Sequence, residues 1–367
     1  MTDQDTLYMG IELSAKKWKF CFSDGAKERL VTVNAWDQSG TLEQIEIAKQ
    51  KLNLAADCKV RSCYEAGRDA FWIHRFLSKH GFENVVVDSA SIEVSRRRKH
   101  AKNDRLDAGK LVNMLYRYWV MNETRMWKVV HVPSEEAEDD RQLHRDISRL
   151  KKEINQHRTR MKAILVKLGI AVKQPESADM SKLVDWEGKA LPDDTCKLLK
   201  MEQQRLTVAI EQLNKLEEIR NSRLEKPSGE SDGKAQKMKK LRSIGAVTSW
   251  MLVKEFFGWR EFANREEVGA LAGLTGTPYD SGECSKEQGI SKAGNAWVRT
   301  LMIEAAWSWL RYQPNSYLAE WYQERFGHGS KRMRRVGIVA LARKLLIALW
   351  KYVEFDEIPE GAVLKTN

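Results

Sequence analysis

Four acidic residues in the first third of the chain have the order expected of a divalent-metal site. Glu12 lies in one strand-like apolar run, and Glu65 ends another. Asp104 and Asp107 stand three residues apart at the start of a predicted helix, so they share one helix face. Mg²⁺ prefers hard oxygen ligands, and two such ions can hold the attacking and leaving oxygens of a phosphodiester. The four carboxylates therefore predict Mg²⁺-dependent nuclease chemistry.

Each acid also has an ordinary structural explanation. Asp104 or Asp107 can cap a helix or complement its dipole, and Glu12 can lie at a sheet edge with its carboxylate in water. A basic segment directly before the aspartates favours the metal site, because phosphate must approach the carboxylates; a solvated charged loop is the alternative. Its cations are Arg96, Arg97, Arg98, Lys99 and Lys102.

The charge of the chain predicts a polyanionic partner. Lys and Arg number 62 against 51 Asp and Glu, a formal charge of +11, and such an excess favours binding to nucleic acid. No apolar run approaches the ~20 residues needed to span a bilayer. The five cysteines are scattered without CxxC spacing, which argues against a zinc site or a disulfide framework. We expect a cytoplasmic protein without a membrane partner.

The first block, residues 1–130, predicts an α/β domain with a mixed sheet. Apolar, β-branched runs separated by turn residues indicate strands, and apolar residues at helical spacing indicate helices. Three strands followed by alternating helix and strand is the order of ribonuclease-H-like domains. The predicted strands are 7–13, 17–23, 29–35, 60–65 and 85–87, and the predicted helices are 41–54, 69–79 and 104–120.

The middle block, residues 131–237, predicts a helical arm. Apolar residues alternate spacings of four and three from Leu143 to Leu168, which indicates a coiled coil or a long helical hairpin. A loop over 173–194 and a second helix starting at Leu206 follow, and Lys226–Lys234 is predicted to be a linker because it carries Pro, Gly and Ser. The arm would be a spacer or a dimerisation element.

The final block, residues 238–367, predicts a helical and basic domain. Leu241–Thr248 has the pattern of a helix-hairpin-helix turn centred on Gly245, whose helix N-terminus can offer N–H groups to phosphate; an ordinary packed helix pair is the alternative. A glycine- and serine-rich stretch, 279–294, precedes a helix over 296–310. The cationic cluster near the end contains Arg334, Arg335, Arg343 and Lys344.

Ser281 is a candidate nucleophile, because the neighbouring glycine leaves its hydroxyl open to a ligand. A serine needs a base or a metal to become nucleophilic, and no histidine stands near it in sequence. An ordinary turn serine is the alternative, and Ser285 lies close by. Lys292 and Arg299 are candidates to hold phosphate oxygens, unless they are only solvent-exposed.

These motifs, taken in order, resemble the IS110 (IS one-ten) family of insertion-sequence transposases. The resemblance extends from residue 8 to about residue 352. Its motifs are Gly10-Ile-Glu12, Tyr64-Glu65-Ala-Gly67, Asn103-Asp104-Arg-Leu-Asp107, Ile244-Gly245-Ala-Val-Thr248, Leu271-Ala-Gly273-Leu274, Ser281-Gly282, Gly289-Ile-Ser291-Lys292-Ala-Gly294-Asn295 and Leu341-Ala-Arg343-Lys344-Leu345.

The resemblance implies an RNA-guided DNA recombinase. A guide (bridge) RNA would pair with donor and target DNA, a RuvC-like domain would supply the acidic tetrad, and the transposase domain would supply Ser281 for a covalent phosphoserine linkage. The composite site would be assembled between protomers of a dimer or tetramer. The family's first acid is usually aspartate, whereas this chain has Glu12; Asp24 or another acid is the alternative ligand.

Two other functions remain open from the residues. A metal-dependent nuclease or Holliday-junction resolvase would need only the four carboxylates and would cleave with water, without a covalent step. A non-catalytic nucleic-acid-binding protein would use the basic surface and the helical arm and would need no Mg²⁺. Formation of a protein–DNA adduct separates the recombinase from both.

Overall fold

A computed structural model of the chain describes residues 5–67, 70–92, 104–281 and 284–365. Its contacts divide the chain into two compact units, Met1–Pro133 and Ser134–Asn367. The segment predicted as a separate arm falls almost wholly within the second unit, and the division into three domains stays a prediction. Within the described residues, no helix combines the length and apolarity needed to cross a bilayer.

The first unit contains a five-stranded mixed sheet, which confirms the predicted α/β class. The strand order is β3-β2-β1-β4-β5; the first three strands are antiparallel, and β4 and β5 run parallel to β1. The strands are β1 Thr6–Glu12, β2 Lys17–Ser23, β3 Glu28–Asn34, β4 Lys59–Glu65 and β5 Glu83–Val87. The helices are α1 Gln38–Lys51, α2 Ala70–Lys79 and α3 Asp104–Val120.

Both faces of this sheet are buried because helices cover both. Leu7, Met9 and Ile11 of β1 join the core formed with α1 and α2, whereas Tyr8 packs with residues of α3. Successive strand residues point to opposite faces, which explains the continuous apolar run of β1. A Cβ at Gly10 would lie 2.6 Å from the carbonyl oxygen of Ala108, so α3 crosses β1 at backbone contact distance.

The second unit begins with an antiparallel helical pair. The short helix α4, Glu135–Asp139, precedes α5, Gln142–Lys167, which packs along α6, Asp193–Glu225. His157 bonds Glu202 and Lys151 pairs with Glu217, so sequence positions run in opposite directions along the two helices. Of the seam predicted between Leu143 and Leu168, Ile147, Ile154 and Met161 are buried and the other residues are partly buried. The second helix starts thirteen residues before Leu206, so that predicted start was wrong.

The rest of the second unit is helical except for one β-hairpin. Its helices are α7 Glu230–Lys239, α8 Ala246–Leu252, α9 Arg265–Leu271, α10 Ala296–Tyr312, α11 Tyr317–Tyr322 and α12 Lys331–Phe355, and its strands are β6 Gly276–Ser281 and β7 Cys284–Ile290. Single π-turns follow α8 and α11, at Val253–Phe257 and Gln323–Gly327. The core contains fully buried Trp250 and Trp309, so these two tryptophans pack inside the unit.

Two sequence predictions for this region were wrong. The predicted linker 226–234 is helical from Glu230 onward, because α7 tolerates Gly233 and starts directly after Gly229. The glycine- and serine-rich stretch 279–294 contains most of the antiparallel hairpin, with Asp280 paired to Ser285 and Ser281 to Cys284. The final block is therefore not purely helical.

A buried ion network joins the base of the helical pair to the core of this unit. Lys254, only 2% exposed, donates to Asp140 at 2.6 Å and to Asp232 at 2.7 Å. Arg223 bonds the same two carboxylates. Burial alone would raise the pKa of Asp232, but the hydrogen bonds from Arg223, Lys254 and Ser228 outweigh it and hold that pKa at about 2. Four chain segments are thus tied together by paired charges.

Asp232→Ala should lower the free energy of unfolding by about 3 kcal/mol, because the buried ammonium of Lys254 loses one of its two carboxylate partners. The depressed pKa makes the contribution of Asp232 complete above its unfolded-state pKa, about 3.9, and progressively lost as the pH falls towards 2. Urea unfolding at pH 7 and pH 3 measures both effects.

The control is Asp146→Ala, which removes the exposed pair with Arg149 and should cost at most about 1 kcal/mol. Equal losses for the two variants would contradict a structural role for the buried network.

Candidate functional site

Glu12 and Glu65 lie together where two neighbouring inner strands of the first unit's sheet end. They end β1 and β4, which are parallel neighbours with Ile11 paired to Tyr64. Both side chains line a cleft of about 380 Å³, together with Ser14, Ala66, Gly67 and Ser89 among others. Both are partly buried. The structure thus brings together two of the four predicted acids.

Strand alternation places both carboxylates on the face of the sheet that α3 covers. Glu12 follows Tyr8 and Gly10 at even spacing, and Glu65 follows Cys63, whose thiol donates to the carbonyl of Leu111 in α3. The backbone of Asp104 and Asp107 forms the first turn of α3, directly before Ala108 at the Gly10 contact. Their side chains lie outside the described residues, as do the predicted phosphate-approach residues Arg97, Lys99 and Lys102.

The cleft has the donor chemistry that Mg²⁺ requires, since carboxylate and hydroxyl oxygens line it. Among the side chains that the structure describes, no group of three or more His, Cys, Asp or Glu residues could hold a metal. A metal in this cleft would therefore need oxygens beyond those of Glu12 and Glu65, and the first turn of α3 starts on the same face of the sheet.

Asp24 does not lie at the end of the sheet where Glu12 and Glu65 are found. It follows Ser23, which pairs with Tyr8 at the opposite end of β1 from Glu12. Its carboxylate accepts hydrogen bonds from the N–H groups of Ala26 and Lys27 and closes the β2–β3 turn. The alternative in which Asp24 replaces Glu12 as a ligand is therefore not favoured by the sheet register.

Ser281 ends β6 at the turn of the hairpin of the second unit, where it pairs with Cys284. Ser285 lies one pair further from the tip, opposite Asp280. The side chains of residues 278–281 and 284–288 lie outside the described residues. The backbone shows that a strand end, rather than a free loop, carries the predicted nucleophile.

The base of this hairpin is closed by backbone contacts that only glycine permits. The N–H groups of Ser291 and Asn295 donate to the carbonyls of Thr275 and Leu271. Gly273 and Gly294 both have positive φ, +67° and +97°, and a Cβ on either would lie 2.1 Å from a carbonyl oxygen of the opposite segment. We call this arrangement, residues 271–275 and 291–295, the hairpin base.

Arg299, in the first turn of α10, contacts the hairpin base through its side chain. Its Nη1 donates to the carbonyl of Lys292 at 3.0 Å and to that of Ala272 at 3.4 Å. The guanidinium therefore bonds both sides of the base. Its predicted role as a phosphate contact stays a prediction, and these two hydrogen bonds give it a packing role as well.

Glu255 anchors the hairpin base to the first turn of α5. It is 1% exposed and accepts hydrogen bonds from His144 at 2.7 Å, from Arg145 at 2.8 Å and from Asn295 at 3.3 Å. Burial alone would raise the pKa of Glu255, but the bonds from His144 and Arg145 hold it at about 2. Asn295 in turn caps α10 by accepting from the N–H of Trp297. Sequence analysis missed Glu255, because its partners lie far away along the chain.

A groove with a cationic lining runs beside the hairpin, along α12. Its volume is about 1050 Å³, and its apolar lining includes Ile290, Val336 and Val339. The cationic residues that line it are Arg265, Lys292, Arg332, Arg335, Arg343, Lys344 and Lys351. Four predicted nucleic-acid contacts, Lys292, Arg335, Arg343 and Lys344, thus lie around one groove. We call it the basic groove.

The two other predicted phosphate contacts of this unit lie elsewhere. Arg334 is exposed on α12 but does not belong to the lining of the basic groove. Gly245 begins α8 as its N-terminal cap, and a Cβ added to it would meet no described atom within 4 Å. The predicted helix–turn–helix is present as α7, the turn 240–245 and α8. Binding of nucleic acid by Gly245 stays a prediction.

Comparison with known proteins assigns the chain to the transposases. The family model described as "Transposase IS116/IS110/IS902 family" matches residues 235–323, a segment that contains Glu255 and the hairpin. The y4rJ protein of Sinorhizobium fredii, named as a candidate transposase, is 37% identical over 382 residues, which cover 99% of this chain and 96% of that protein. A transposase of insertion sequence element IS1328 from Yersinia enterocolitica is 27% identical over 57% of this chain and 60% of its own length.

The chain therefore belongs to the IS116/IS110/IS902 transposase family, which confirms the family assignment made from the ordered motifs. The match over nearly the whole length includes both units. It does not by itself assign roles to single residues, so the catalytic and metal-binding roles of Glu12, Glu65, Asp104, Asp107 and Ser281 stay predictions.

Gly294→Ala should destabilise the second unit by about 2 to 4 kcal/mol, since a left-handed backbone and an overpacked contact both oppose a Cβ there. Gly188→Ala is the matched control: its φ is also positive, +80°, but no described atom lies within 4 Å of the added Cβ, so it should cost only about 1 to 2 kcal/mol. Denaturant unfolding measures both, and equal losses would show that the close contact at the hairpin base contributes nothing.

Proposed function

We propose that the protein cleaves and rejoins DNA as the recombinase of an insertion sequence. The observation that carries the proposal is the position of Glu12 and Glu65, which line one cleft at the ends of parallel neighbouring strands. Like charges that share a cleft raise each other's free energy. Such a pair is favoured where a cation binds.

The sheet supports a RuvC-like, ribonuclease-H-like assignment for the first unit. Three antiparallel strands are followed by two parallel ones in the order β3-β2-β1-β4-β5, with helices on both faces. Glu12 and Glu65 lie at the ends of β1 and β4, and Asp104 and Asp107 belong to the first turn of α3. This backbone placement supports the proposal of an acidic tetrad on the sheet.

In the proposed site, Glu12, Glu65, Asp104 and Asp107 hold Mg²⁺ through carboxylate oxygens. The bound metal would supply Lewis-acid stabilisation of negative charge on the oxygens of the scissile phosphate. The longer Glu12 side chain reaches into the cleft from the last residue of β1. Ser14 and Ser89 line the same cleft, and their hydroxyls donate to the carbonyls of Lys17 and Ala66, so each can only accept a further hydrogen bond from water there.

Ser281 is proposed as the nucleophile. Its Oγ loses a proton and attacks phosphorus; a serine–phosphate ester forms while the bond from phosphorus to a deoxyribose oxygen breaks, and that oxygen leaves as a hydroxyl. One phosphate ester bond replaces another in this step. The hydroxyl of another strand end can therefore attack the serine–phosphate ester, rejoin DNA and release Ser281 without a high-energy cofactor. The hairpin base holds the strand that carries this serine.

The basic groove is proposed to bind the nucleic-acid backbone. Its cations can neutralise phosphates and release counterions, and its apolar floor can contact sugars and bases. Following the family resemblance, we propose donor DNA, target DNA and a guide RNA as partners, in a dimer or tetramer. Sequencing of RNA retained by the purified protein tests the guide; the absence of any RNA complementary to DNA flanking its gene contradicts it.

Glu12→Gln and Glu65→Gln should each reduce Mg²⁺-dependent strand cleavage by at least about 100-fold, because each removes one charged ligand without changing side-chain volume. Glu12→Asp should retain much more activity, since it keeps the carboxylate. The measurement is cleavage of end-labelled DNA over a Mg²⁺ titration, with Glu43→Gln on the exposed face of α1 as the control. Full cleavage by both glutamine variants would reject the metal site.

Ser281→Ala should abolish covalent protein–DNA adducts, whereas Ser285→Ala should retain them, because only one hydroxyl forms the ester. Adducts are detected as labelled DNA that migrates with denatured protein on a gel. Cleavage by the intact protein without any adduct would favour the hydrolytic nuclease or resolvase. Adducts that persist in Ser281→Ala and vanish in Ser285→Ala would move the nucleophile to Ser285.

A further inference from the structure

The first unit exposes a large aromatic side chain on strained backbone, at the same end of the sheet as Glu12 but two strands away from β1. Trp36 follows β3 and has φ of +72°, a region that bulky residues rarely adopt. Its side chain is 55% exposed. Glycine or asparagine would take this backbone conformation more readily, so the indole must be favoured by something it contacts.

The indole of Trp36 is held in a fixed orientation by a stack of tryptophans. It lies parallel to Trp72 of α2, with ring centroids 5.3 Å apart and an interplanar angle of 8°. Trp18 of β2, 2% exposed, packs against both rings. The stack therefore extends from Trp18 in the buried core of the unit to Trp36 at the surface.

The backbone on both sides of Trp36 is fixed as well. The N–H of Ala35 donates to the carbonyl of Lys16 at 3.0 Å. Asp37 begins α1, and its carboxylate accepts from the N–H of Gly40 at 2.8 Å. A rigid aromatic ring loses little conformational freedom when a ligand stacks on it, which favours binding.

The charges beside this ring favour a nucleic acid over an apolar protein surface. Lys16 and Lys17 are exposed at the adjoining turn, and Lys17 pairs with Asn34 across β2 and β3. The nearby carboxylate of Asp37 is engaged in the helix cap. An exposed aromatic ring, on a segment whose backbone pairs with that of two exposed lysines, matches an unpaired base with its phosphates.

We propose that Trp36 is a stacking platform for an unpaired base of single-stranded nucleic acid, with Lys16 and Lys17 contacting its phosphates. Duplex DNA keeps its bases stacked on each other, so the platform would select strands that are already opened. The site would hold a displaced strand or an unpaired segment of RNA during recombination. Only this last role rests on the proposed function.

The test measures binding of a fluorescent oligothymidylate of about 15 nucleotides and of a hairpin duplex of similar size, without Mg²⁺ so that no cleavage is required. Trp36→Ala should weaken binding of the single strand about 5-fold or more and leave duplex binding unchanged, and Trp36→Phe should restore most of the affinity. Trp186→Ala is the matched control, because Trp186 is 75% exposed in the second unit; it should bind like wild type.

A second measurement locates the contact directly. Oligothymidylate carrying 5-iododeoxyuridine should photo-crosslink to Trp36, and peptide mapping by mass spectrometry identifies the residue. Crosslinks confined to other residues, or unchanged single-strand affinity in Trp36→Ala, would overturn the proposal. A lower unfolding midpoint with unchanged affinity would assign Trp36 to core capping alone. None of these outcomes depends on Ser281 or Glu12, so the proposed recombinase chemistry is tested separately.

Discussion

The parallel pairing of β1 with β4 is the interaction on which the acidic cleft of the first unit depends. Glu12 and Glu65 are brought together by the parallel pairing of β1 and β4, which is one of the most buried parts of the sheet. A shift of that pairing by one residue would move one strand's side chains to the opposite face. The packing of Leu7, Met9 and Ile11 against α1 and α2 therefore fixes the site as firmly as it fixes the core.

In the second unit, the corresponding requirement is that a short hairpin keeps one fixed position. A two-stranded ribbon is marginally stable alone, and here its base is closed by Gly273, Gly294 and the carbonyl contacts of Arg299. Glu255 connects that base to the first turn of α5. The carboxylate lies on a π-turn, a local irregularity that is common at functional sites. Loss of this bond would free the hairpin base from the helical pair without removing any residue of the hairpin.

The sequence predicted the sheet well and the hairpin poorly, for physical reasons. Strands such as β1 and β2 contain β-branched and aromatic residues at regular spacing, so the local pattern and the buried environment agree. The segment 279–294 has glycine, serine and charged residues, and its pairing depends on contacts of the hairpin base that no local pattern shows. Helix α7 was missed because Gly229 and Gly233 suggested a linker, whereas Asp232 and Met238 are buried by tertiary packing.

In the proposed function, the acidic cleft and the basic groove belong to different units of this chain, and phosphate chemistry gives that division a reason. A phosphodiester is repelled by carboxylates unless a cation intervenes, so the acidic cleft alone cannot attract DNA. The basic groove, proposed as the binding surface, has seven cationic side chains and several apolar ones in its lining, but it contains no pair of carboxylates for a divalent metal among its described lining residues. In that proposal, the acidic cleft holds the metal and the basic groove supplies most of the contacts to the nucleic-acid backbone.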